Sequence, residues 1–240
     1  ESACRALVLR HAPLLGLSDS QCEQVALAAA GNLLCATKLL EVLHDQRERN
    51  IPIERALREM SIGLDSLLSR LWQGLSNEGR AALGLLCAAR QALPLSLLDD
   101  LLGLDEGESA QHLFAARPFL QFESAAALGI ASLSDDCVSF AHSALRSFVI
   151  AVLGPTAVHQ SQRLLGASLC SWPPLEDNLY AFRRSYALRH AITQHIDSDS
   201  ESHASQVISN IDFLVARCQE HGSAALAEDL EHAAARSSQP

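Results

Sequence analysis

Apolar residues recur at three- and four-residue steps along almost the whole chain, and the one place where that period changes constrains the fold most. Helical stripes run through Leu33, Leu34, Thr37, Leu40 and Leu43, through Leu64, Leu67, Leu68, Leu71 and Leu75, and on towards the last residues. After Pro118 the bulky residues fall on alternate positions instead, in Phe119-Leu120-Gln121-Phe122 and again in Cys137-Val138-Ser139-Phe140. That pattern predicts two strands, with Ala125–Asp136 as the loop or wing between them. Composition agrees with a helical background: Ala and Leu dominate, aromatics make up 5%, and β-branched residues are sparse.

Breakers divide the chain into three segments. Residues 1–60 form a small helical domain, with an N-cap region at Ser18-Asp19-Ser20-Gln21, a helix from about Asp19 to Ala30, a break at Gly31-Asn32, a second helix ended by the charged stretch Asp45–Asn50, and a short helix from Ile53 to Met60. Residues 61–155 hold a striped helix, a second capped by Ser76-Asn77-Glu78-Gly79, a third from Leu95 to Leu102 between Pro94 and Gly103, and a fourth from Asp105 to Ala116. The two strands and a helix from His142 to Leu153 complete that segment, stopping at Gly154-Pro155. Helices followed by strand, wing, strand and helix are the order of a winged-helix domain with a small β-hairpin. Residues 156–240 read as a helical-hairpin arm with helices at 156–171, 179–196, 201–220 and 223–235. The expected fold class is therefore mainly α.

Charge and motifs exclude several functions. The net charge is −10, Lys38 is the only lysine, and residues 61–155 carry 10 acids against 5 bases, so no basic stripe offers itself to a phosphate backbone. No apolar run is long enough for a membrane span. Seven cysteines without a C-x-x-C pair suggest reduced, buried thiols and a cytoplasmic chain. The ten histidines lack metal-ligand spacing, so no metal is expected. A phosphate-binding G-x-x-x-x-G-K-[ST] is missing, so the chain by itself is not expected to be an enzyme. The acids of Leu97-Leu98-Asp99-Asp100 are expected on a solvated helix face.

Three stretches carry a family resemblance. Ser139-Phe140-Ala141-His142-Ser143-Ala144-Leu145 resembles the Met-His-Asp motif of the signal-transducing ATPases with numerous domains, the STAND class, which includes NACHT and plant-resistance-type members. Ala141 and Ser143 stand where that class often has Met and Asp. Gly31-Asn32-Leu33-Leu34 is similar to the start of the helical domain that follows the nucleotide-binding domain in the class, with Leu33 where Pro is common. Ser185-Tyr186-Ala187-Leu188-Arg189-His190 looks like an element of the helical regions between winged helix and sensor repeats.

The resemblance implies that His142 contacts the β-phosphate of bound ADP in a closed state, and that Gly31, Asn32 and Leu33 lie beside the nucleotide. It implies ATP or ADP held mainly by a domain upstream of Glu1, sensor repeats downstream of Pro240, and oligomerisation on activation, with no nucleic acid and no membrane as partner. The expected function is the regulatory middle of such a signalling NTPase, coupling nucleotide state to conformational switching and effector activation. A winged-helix transcription regulator with a helical ligand or dimer domain and a plain interaction scaffold are the alternatives.

Overall fold

A computed structural model describes residues 2–58, 63–124, 126 and 135–237. The chain is mainly helical, with a small three-stranded sheet. The elements are α1 (Ser2–Leu15), α2 (Asp19–Ala28), α3 (Leu33–Glu48), α4 (Ile53–Arg58), α5 (Leu64–Gly74), α6 (Asn77–Ala88), β1 (Leu93–Pro94), α7 (Leu95–Leu102), α8 (Glu108–His112), a 3-10 turn (Phe114–Phe119), β2 (Leu120–Ser124), β3 (Asp136–Phe140), α9 (Ser143–Leu169), α10 (Tyr180–Asp197), α11 (Glu201–Ser209) and α12 (Ile211–Ser237). Among the described residues no helix is long and apolar enough to cross a membrane. Residues 59–60, at the end of the helix expected from Ile53, and most of the expected wing lie outside the described residues.

Two compact units result, and they cut across the three sequence segments. One comprises the described residues up to Ser76 with Leu113–Leu120; the other comprises Asn77–His112 and the residues from Gln121 on. In the first, α1, α2, α3 and α4 close over Val8, Val25, Leu39 and Leu43, which are wholly buried. Helix α2 starts at a reciprocal capping box: the Gln21 N–H donates to Ser18 Oγ (3.4 Å) and the Ser18 N–H to Gln21 Oε1 (2.8 Å).

In the second unit, α6 lies at the centre, with Gly79 and the run Ala82–Ala88 all buried. It packs against α9, and α10 packs in turn against α9, α11 and α12. The sheet order is β1-β3-β2, with Leu93 opposite Val138 and Pro94 opposite Cys137 in the antiparallel β1–β3 pair. Burial pushes the Cys87 thiol up to about 12 and the Cys137 thiol up to about 11, so both stay protonated at neutral pH. The expected break at Gly154-Pro155 is real: Gly154 has φ 76° and ψ 168°, which a residue with a Cβ rarely adopts, and α9 bends there. Buried Arg217 pairs with the partly buried Asp229 (2.8 Å) across the similar break at Gly222 in α12.

Three expectations are corrected. The helix expected over Asp105–Ala116 is only α8, five residues long, followed by the 3-10 turn. Gly107 at φ 83° cannot continue a helix backwards, and Pro118 lacks an N–H for an α-helical bond at the other end. The helix expected over 201–220 is split at Asn210, which is extended (φ −87°, ψ 109°) and whose Oδ1 accepts the Phe213 N–H (3.1 Å) as a cap. Asp99 is not solvated. Its side chain is buried, and its two oxygens accept the Gly107 N–H (2.8 Å) and the Ser109 N–H (2.7 Å), setting the start of α8; Asp100 alone is exposed.

Two charge-assisted bonds to one buried carboxylate are worth more than a surface pair. Asp99→Ala should lower unfolding stability by about 1–3 kcal/mol, and Asp99→Asn should recover part of the loss because one acceptor oxygen remains. Urea unfolding of both variants checks this; an Ala variant with the native midpoint contradicts it.

Candidate functional site

Gly31, Asn32 and Leu33 meet at the start of α3. Ala30 (φ 50°) and Gly31 (φ 75°) both turn left-handed, reversing the chain after α2. Asn32 is then extended, and its Oδ1 accepts the Cys35 N–H (3.0 Å), capping α3. Its own N–H donates to the Ala29 carbonyl (2.9 Å). With Oδ1 committed to the cap, the amide Nδ2 is the group Asn32 has left to offer. Leu33 follows as the first helical residue, and its side chain is half exposed to solvent.

His142 stands in the other unit, between β3 and α9. Strand β3 ends at Phe140, and His142 is extended (φ −150°, ψ 142°) as the N-cap of α9. Its Nδ1 accepts the Ala144 N–H (3.1 Å). A ring nitrogen that accepts carries no hydrogen, so in the neutral imidazole the hydrogen sits on Nε2. The side chain is exposed, as are Ala141 and Ser143. The junction therefore presents an N–H donor at the electropositive end of a long helix, an arrangement suited to an anionic group.

The stretch Ser185–His190 lies on α10 and is largely core. Tyr186, Ala187 and Leu188 are wholly buried, and Arg189 is exposed. The Tyr186 hydroxyl accepts the Arg90 N–H (3.3 Å) and donates to Gln194 Oε1 (3.3 Å), and burial raises its pKa. The ring of His190 meets that of Tyr186 edge-on at 5.0 Å. These contacts give this stretch a structural role in holding α10 against its neighbours.

The structure thus gathers Gly31, Asn32 and Leu33 at one helix start, while His142 caps a helix of the other unit. Among the described residues no group of three or more His, Cys, Asp or Glu side chains converges as a metal set. A groove of about 640 Å³ between α1 and α3 holds none of the four residues. Its acids Glu41, Asp45 and Glu48 repeat at four- and three-residue steps, a helical-face signal that a search for catalytic motifs passes over. Compared with known protein families, with curated proteins and with solved structures, the chain finds no match.

Burial, together with the nearby guanidinium groups of Arg90, Arg189 and Arg217 and with His221, lowers the His190 pKa from 6.5 to about 4. The unfolded chain then binds a proton more readily than the folded one, so His190 costs no stability above pH 6.5 and progressively more as pH falls towards 4. In His190→Phe, which keeps a ring against Tyr186, the urea midpoint should drop less between pH 7 and pH 4.5 than in the parent. Parallel drops would contradict this.

Proposed function

We propose that the chain is the regulatory middle segment of a STAND-class, NACHT-like signalling NTPase: helical domain, winged helix and helical arm, acting in the cytoplasm. The observation that carries this reading is the topology around His142. The order α6-β1-α7-α8-β2-β3-α9, with β3 central in the sheet, agrees with a winged helix, and His142 sits at the junction of its last strand and last helix. Its Nε2–H supports a hydrogen bond to a terminal phosphate oxygen of ADP. The short α8, preceded by Asp105 and Glu106 and opened by Glu108, lacks the bases a major-groove reader needs, which favours a protein-facing module.

In this reading an upstream domain holds most of the nucleotide, and His142 adds a contact made only in the closed, ADP-bound state. A ligand shifts a two-state element by its difference in contacts between the states. Exchange of ADP for ATP removes the contact, frees the winged helix, and exposes surfaces for oligomerisation and effector recruitment. Sensor repeats downstream would set when that exchange occurs.

A hydrogen bond to a charged group contributes about 1.5–3 kcal/mol, so in the protein carrying its nucleotide-binding domain His142→Ala should loosen ADP roughly tenfold to a hundredfold. Basal oligomerisation should rise in step. Labelled-ADP dissociation and size-exclusion profiles measure the two; ADP retention and assembly equal to the parent would overturn the latch role.

A further inference from the structure

Helices α1 and α3 leave between them the open groove of about 640 Å³ in the first unit. Its floor is apolar, formed by Leu7, Leu15 and Leu40, and Leu14 stands at its edge, 71% exposed. One wall is a single face of α3 carrying Glu41, Asp45 and Glu48. From Thr37 to Glu48 this wall runs about 16 Å, the length of three helical turns.

The charge of the wall is negative. The Arg47 guanidinium is committed to the Leu14 carbonyl, and Lys38, nearly buried, lies beside the Phe119 ring while pairing with Glu41 (2.8 Å). The His44 Nε2 lies 3.3 Å from Glu48 Oε1, and among the described residues Arg117 is the one arginine lining the groove. An apolar trough beside acids at four- and three-residue steps matches a helix with apolar residues on one stripe and bases alongside it, because a partner helix repeats at the same steps.

We propose that this groove is a docking site for a basic amphipathic helix of a partner protein. Its apolar stripe fills the trough over Leu7 and Leu40, and its Lys or Arg side chains pair with Glu41, Asp45 and Glu48. The inference is independent of the nucleotide reading, since the groove shares no residue with Gly31, Asn32, Leu33 or His142.

The test uses the full chain and a labelled helical peptide of about 14 residues with leucines at three- and four-residue steps flanked by lysines. A second peptide keeps the leucines and replaces every lysine with glutamate. In fluorescence anisotropy the lysine peptide should bind at least about tenfold tighter than the glutamate peptide, and high salt should weaken it. The double variant Asp45→Lys/Glu48→Lys, at a half-buried and an exposed position of α3, should reverse that preference, with circular dichroism confirming unchanged helicity. Leu14→Ala, which removes apolar surface without adding charge, should by itself weaken the lysine peptide. Failure of the lysine peptide to bind, equal binding of the two peptides, or a preference that survives the charge reversal would each overturn the proposal.

Discussion

The last two turns of helix α6 are buried around their circumference, and the second unit is arranged to satisfy them. A helix with Gly79 and Ala82–Ala88 all out of water must find neighbours on every side and partners for its last carbonyls. Helix α9 supplies the closest neighbour: a Cβ at Gly84 would lie 3.2 Å from Leu153 Cδ1 and 3.3 Å from Ser161 Oγ. Those two contacts fall on either side of the bend at Gly154, so the bend lets one helix hold α6 from two directions. At the C-terminal end of α6 the Arg146 guanidinium donates to the Cys87 carbonyl (2.9 Å), the Tyr186 hydroxyl takes the Arg90 N–H, and Arg90 pairs with Asp197. The core tyrosine of α10 and the bend of α9 are both answers to the burial of α6.

What was legible in the sequence was mostly what glycine and proline dictate locally. Pro94 and Gly103 bracket α7, Gly31 precedes α3, and Gly154 and Gly222 interrupt their helices where the backbone leaves helical space. Features that depend on residues distant in sequence were not legible. Strand β1 has two residues, too few to carry an alternation, and exists because β3 offers Val138 and Cys137 as partners. Asp99 sits beside Asp100 in a run that looks like a solvated face, yet its two bonds go to N–H groups eight and ten residues further on. The short α8 has the same origin, because its first residue is set by that carboxylate.

The residues singled out for chemistry show the same division. That Gly31, Asn32 and Leu33 would share a helix start follows from their adjacency and from asparagine's preference for caps. That His142 would open a helix was also readable, from the return of helical spacing after Phe140. The ring nitrogen facing its own helix depends on the extended backbone at 142 and the position of the Ala144 N–H, which no spacing rule conveys. That Ser185–His190 would lie on a helix was readable; the hydroxyl network of Tyr186 was not, because Arg90 lies 96 residues away.

Both Asn32 and His142 are N-caps, and a cap consumes an acceptor. Asn32 spends Oδ1 and keeps an amide donor; His142 spends Nδ1 and keeps Nε2–H. Each is left with a donor beside the positive end of its helix, the combination that favours an anion. For α3 the choice of asparagine is what folding alone would select, since Asn ranks among the best caps. For α9 it is not: Ser, Thr, Asp or Asn would close the helix start at least as well, as Ser18 does for α2. An aspartate there would cap through an oxygen and leave no donor at all. Capping of α9 does not by itself call for an imidazole at 142; like the Asn32 amide and unlike an aspartate, it keeps a donor once the cap is made, and it holds that donor on an exposed side chain.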